Sequence, residues 1–145
     1  MAATPREVLE QLMTGIDSGQ WGELHLLYAE DAVVDHPFDL PRPSRLVGRE
    51  ALREHFAPGE TLRREVRSCN VNVHETSDPE VIVAEFDREV HYLDTGRRFE
   101  TGYIFVVRVR DGLIVESRDY TNPAGHLIGA GMTAELIDLV KEAEA

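Results

Sequence analysis

Residues 114–123, IVESRDYTNP, decide how this chain is read. They follow Asp111-Gly112, a pair whose tolerance of positive φ suits the tight turn between two antiparallel arms. They also alternate apolar with polar, the period of a strand that buries one face. The stretch 113–122 is therefore the second arm of a β-hairpin. Its opening, Leu113-Ile114-Val115, is built for a core, yet the same strand goes on to carry Arg118, Asp119 and Tyr120. Val115, Ser117 and Asp119 share one parity. If that face looks inward, the carboxylate sits among apolar groups, its charged form is disfavoured, and its pKa rises towards acid–base use. If the face looks outward, Asp119 is solvated or paired with an arginine.

Working outward, 66–76, 80–93 and 98–110 show strand patterning as well. Turns at 77–79 (Ser-Asp-Pro) and 94–96 (Asp-Thr-Gly) separate them. Ahead of this meander the period is helical. Thr4-Pro5-Arg6-Glu7 is a capping box with proline at the first helical position, opening a helix with Val8, Leu9, Leu12, Met13 and Ile16 on one stripe that stops near Gly19. A second helical stretch places Trp21, Leu24, Leu27 and Tyr28 on a shared face. Ala32-Val33-Val34 is a short strand running into Asp35-His36-Pro37-Phe38, and 39–44, with Pro41 and Pro43, is loop. Gly48 leads a third helix, 49–56, and a last one spans 133–142. Helices followed by long antiparallel strands make an α+β fold in one domain, 1–145. Twist curls such strands around the helices, and side chains or a ligand must fill the curl.

The chain has 145 residues, 15 basic against 27 acidic side chains, and a net charge of −12. That surplus repels phosphate backbones and anionic membranes, so neither nucleic acid nor a membrane is expected as a partner. One cysteine, Cys69, excludes an internal disulfide and suits a reducing compartment. The N-terminus lacks signal architecture and no apolar run reaches spanning length, which points to the cytoplasm. The six histidines form no His-x-x-x-His pair, so no metal is expected, and the glycines do not make a nucleotide loop.

Besides Asp119, few groups could carry chemistry. His55 lies at helical spacing from Ala51 and Leu52, so it faces inward, as a satisfied core residue or as a proton shuttle. Asp35 and His36 are adjacent on a strand, so only one of them can enter a cavity. Glu85, Asp87, Glu89 and His91 share a polar parity opposite Ile82, Ala84, Phe86, Val90 and Tyr92, and part of that polar face could line a pocket mouth.

Taken together, residues 28–37 (YAEDAVVDHP), 48–55 (GREALREH) and 118–123 (RDYTNP) resemble the SnoaL-like families of the nuclear transport factor 2-like superfamily. The resemblance spans nearly the whole chain. It implies an α+β cone (cystatin-like), a curved, mostly antiparallel sheet wrapped on N-terminal helices around a deep apolar pocket, and a homodimer packed sheet to sheet. Against ketosteroid isomerase, the aspartate base falls on His36, and the oxyanion-hole donors fall near Leu12 and near Ile104 or Phe105, so they are missing. Against limonene epoxide hydrolase, one catalytic aspartate falls on Asp119, but the partner Arg-x-Asp falls on Glu89-Val90-His91. The phenazine-biosynthesis A/B proteins match best. Residues 74–79 (HETSDP) resemble their strand-turn-strand, their active-site histidine lands on His55, and their catalytic glutamate lands on Asp119, one methylene shorter. Their Tyr-x-Asn is Phe99-Glu100-Thr101 here.

The expectation is a cofactor-free acid–base enzyme of isomerase, cyclase or condensation type, acting on a small apolar, cyclic or carbonyl metabolite. Asp119 is the principal acid or base, His55 its partner across the cavity, and His36 or Asp35 a third group at the rim. Trp21, Tyr28, Asp35, Phe38, Glu85, Thr101, Tyr103 and Ser117 make up the expected substrate-binding set. The rival expectation is a pocket protein that binds a small ligand without turning it over.

Overall fold

The computed structural model describes residues 1–145. Helix α1, Pro5–Asp17, starts on the capping box: the Glu7 amide donates to Thr4 Oγ1 and the Thr4 amide to Glu7 Oε1, each at 3.2 Å. Its stripe of Val8, Leu9, Leu12, Met13 and Ile16 is buried, and the chain leaves through Gly19 at φ 75°. The helical reading of 21–28 does not survive. Only one 3-10 turn forms, Leu24–Leu27, and Tyr28 already begins strand β1, Tyr28–His36. Tyr28 is held there because its ring belongs to the core, which outweighs local helical spacing.

Strand β2, Ser44–Val47, which was not expected, begins at the last residue of the expected loop and pairs antiparallel with β1. Helix α2, Arg49–Phe56, follows Gly48 as the spacing predicts. Strands β3 (Arg64–Glu75), β4 (Val81–Tyr92), β5 (Arg98–Arg110) and β6 (Leu113–Tyr120) make the meander. At the last turn Asp111 and Gly112 both have positive φ, 52° and 78°, as a primed hairpin turn requires. Helix α3, Pro123–Gly129, was not expected. Asn122 caps it by accepting from the Gly125 amide. Helix α4, Thr133–Glu144, ends the chain.

The six strands form one sheet in the order β2-β1-β6-β5-β4-β3. Only β1 and β6 run parallel, and this pairing joins the helical half of the sequence to the meander. Helix α1 packs on β3, β4 and β5. The core between them is Leu9, Leu12, Leu52, Ile82, Phe86, Val107 and their neighbours. Burying each large side chain contributes roughly 1.5–3 kcal/mol. This is the expected α+β cone, with the concave side of the sheet turned to the helices.

Candidate active site

One irregularity in β6 makes the site. The register with β5 shifts between Arg108 and Val109: Val109 pairs with Ile114, Arg108 with Glu116, and Val115 has no partner. A bulge of one residue flips the faces that follow it. Ile114 is buried before the bulge, and Ser117 and Asp119 are buried after it. Val115, expected to share their face, is only half-buried. Both the core residue and the carboxylate thereby reach the inside of the sheet, which strict alternation forbids.

Asp119 enters a cavity of about 590 Å³ whose 27 lining residues include 14 hydrophobic ones. Half-apolar walls desolvate the carboxyl, and burial pushes it up to about 6. Three groups pull the other way. Ser117 Oγ donates to Asp119 Oδ1 at 2.5 Å, His36 lies on the other oxygen, and Arg88 acts from farther off. His36 Nε2 stands 3.8 Å from Asp119 Oδ2. The His36 and His55 rings are 5.3 Å apart at their centroids, and His55 continues edge-on to Phe56. Burial and then His36 lower the His55 pKa, so this ring is neutral at pH 7. Burial and the Asp119 charge push the Tyr28 phenol well up, so Tyr28 stays protonated beside them. A carboxyl poised near neutrality, two imidazoles and a neutral phenol in one half-apolar cavity can take, relay and return a proton.

The structure brings Trp21, Tyr28, His36, His55, Tyr103 and Asp119 into this one cavity. Asp119 and His55 do share it, but His36, expected at the rim, is the group that approaches Asp119. Five expected lining residues lie elsewhere. Asp35 points to the outer face, where Arg45 Nε donates to it at 2.7 Å and Arg118 lies 4.0 Å away, because its neighbour His36 takes the inward position. Phe38 is 62% exposed and packs edge-on against Tyr120. Glu85, on the outward parity of β4, meets His74 at 2.9 Å. Thr101 and Ser117 are buried but do not line the cavity: Thr101 Oγ1 donates to Tyr103 Oη, and Ser117 stands behind Asp119.

Two residues were missed. Arg88 lies on the even, inward parity of β4 with Ile82, Ala84, Phe86 and Val90, and it lines the cavity. An arginine among apolar positions of one parity was the available signal. Arg64, level with Tyr92 on the neighbouring strand, lines the cavity too, its guanidinium 5.3 Å over the Trp21 ring.

Comparison with known proteins gives the family and the fold. The SnoaL-like domain matches residues 9–117, most of the chain. This chain belongs to the SnoaL-like domain family. Uncharacterized protein YesE of Bacillus subtilis is 31% identical to the SnoaL-like chain over 109 residues, 74% of this chain and 71% of the relative. An uncharacterized PhzA/B-like protein of Pseudomonas aeruginosa is 30% identical over 128 residues, covering 87% and 89%. A solved structure of a candidate isomerase from Bacillus subtilis superposes with a TM-score of 0.80 at 26% identity, over 88% of this chain and 93% of that one. The matched segment of the SnoaL-like domain holds His36, His55 and Arg88. It stops two residues before Asp119, so the role of that carboxyl rests on this chain's own geometry.

Proposed function

We propose that this SnoaL-like protein is a cofactor-free acid–base enzyme of isomerase or cyclase type, acting on a small, largely apolar cyclic or carbonyl metabolite. The observation that carries this reading is the Asp119 carboxyl, enclosed in the cavity, pushed up to about 6 and approached by His36. A base whose pKa lies near the working pH combines a populated basic form with useful strength. Asp119 removes a proton from a carbon next to a carbonyl. The Tyr28 hydroxyl, kept protonated, donates a hydrogen bond to the oxygen that gains charge. His36 takes part in passing the proton on, with His55 beside it. The cavity walls exclude water and strengthen each of these interactions.

A second copy of the chain is proposed to cover the outer face of the sheet, where Ile104 and Phe38 are exposed. No helix is long and apolar enough to cross a membrane. The single unpaired cysteine fits a cytoplasmic location.

A substrate-independent test follows. A panel of cyclic ketones is incubated in deuterium oxide with wild type or Asp119→Asn, and deuterium uptake is read by mass spectrometry. Exchange by the wild type that is lost in Asp119→Asn, with binding retained, supports the reading. Equal exchange by both proteins removes Asp119 as the proton carrier. Binding without any exchange by the wild type favours the pocket protein.

A further inference from the structure

We infer that the ligand of this cavity carries a carboxylate, held by Arg88 with Arg64 beside it. The inference rests on the reading of the cavity as a small-molecule site and adds the chemical class of what enters it. The Arg88 guanidinium lies 4.5 Å from the centroid of the Tyr103 ring and 5.3 Å from that of Phe86. Stacking satisfies the flat face of a guanidinium, but its N–H donors lie in the plane. Nε and Nη2 of Arg88 are enclosed and make no hydrogen bond, and Nε of Arg64 is in the same condition. Buried donors without acceptors are rare in folded proteins, because leaving them unpaired is costly. A buried charge without a counter-ion is costlier still.

No carboxylate of the chain supplies the missing partner. Asp17 attracts Arg88, but Asp17 Oδ1 already accepts from the amide and the hydroxyl of Ser68 at 3.0 and 2.9 Å. Asp119 is engaged by Ser117 and His36. On the neighbouring elements Tyr92 and His126 bond each other at 2.9 Å, and burial with the two arginines lowers the His126 pKa, which favours the neutral ring; neither group is an anion that could pair with the arginines. In a chain of net charge −12, two arginines thus sit in the cavity wall without an ion pair.

The placement suits a substrate with two ends. Asp119 is level with Phe105 and, across it, with Ala84, and Arg88 lies four residues farther along the same strand as Ala84. The two backbone rows are about 13 Å apart along the strands. The side chains reach inward from both, so a small ring acid bridges them with its carboxylate on Arg88 and its reacting carbon at Asp119. A planar carboxylate matches the in-plane fork of a guanidinium.

A matched pair of ligands tests this by calorimetry at pH 7.5: 2-naphthoate and 2-naphthamide share a shape and differ in charge. The wild type is expected to bind the acid at least about tenfold more tightly than the amide. Arg88→Met should bring the two within about twofold while keeping affinity for the amide, and Arg88→Lys should restore part of the preference. Asp119→Asn should keep the preference, which separates this subsite from the acid–base reading. Wild type that binds the acid no better than the amide, or not at all, overturns the inference, and so does Arg88→Met that still prefers the acid. Tighter binding of 2-naphthyl phosphate than of the acid overturns the assignment of a carboxylate. The wild-type comparison decides even if a variant does not fold. Loss of deuterium exchange leaves this result untouched, and the converse holds.

Discussion

His36 Nε2 stands 3.8 Å from Asp119 Oδ2, with both side chains only 12% exposed. That is longer than a hydrogen bond, so no proton is shared between them at rest. The separation still lets the ring favour the charged carboxylate. The pair is brought together by the parallel β1–β6 register, which sets Val34 opposite Ser117 and Asp35 opposite Arg118.

His36→Gln removes an attraction that holds the carboxyl down. The midpoint of Asp119 should then rise above about 6, read by carbon NMR of the aspartate carboxyl. An unchanged midpoint would show that the two groups do not communicate.

Asp119 should make the protein less stable as pH rises. Its folded pKa of about 6 lies above the ordinary aspartate value near 3.8, so between those values the folded state holds a proton that the unfolded state has released. Stability falls across that window, and the full cost is present above it. Asp119→Asn, which cannot ionise, should gain on wild type by roughly 2–3 kcal/mol on going from pH 4 to pH 7.5 in urea unfolding. A constant difference between the two curves would contradict the shift.

Gly59→Ala should disturb the cavity without touching the carboxyl. A Cβ at position 59 would lie 2.4 Å from the Trp21 ring, which must move. Trp21 is the only tryptophan, so its fluorescence maximum should shift, and affinity for any cavity ligand should fall several-fold. The midpoint of Asp119 should not change.

Leu9, fully buried under the sheet, anchors α1. Leu9→Ala should cost about 3–5 kcal/mol by removing packed methyl groups and leaving a void. Thr4→Ala, which removes only the cap, should cost about 1 kcal/mol. Chemical denaturation measures both, and equal losses would mean that α1 is held mainly by its cap.

Much of the fold was legible because local patterns carry it. The capping box, the stripe of α1, the range of α2 and the bounds of β5 all follow from spacing within one element. Tyr28 was misplaced because its helical spacing from Leu24 is local, whereas the pairing that makes it a strand comes from Ile114, far along the chain. Asp119 could be flagged but not oriented, because the bulge at Val115 depends on register with β5. The choice between Asp35 and His36 was set by the same long-range pairing. Arg88 was legible by parity, yet an arginine inside an apolar face is easily passed over when polar and apolar residues are sorted.

The most direct test is the titration of Asp119 in the wild-type protein, followed by carbon NMR from pH 3 to pH 9. The acid–base account predicts a midpoint at about 6, carried by burial in the cavity. A midpoint in the ordinary aspartate range near 4 would mean a solvated carboxylate and would contradict the account.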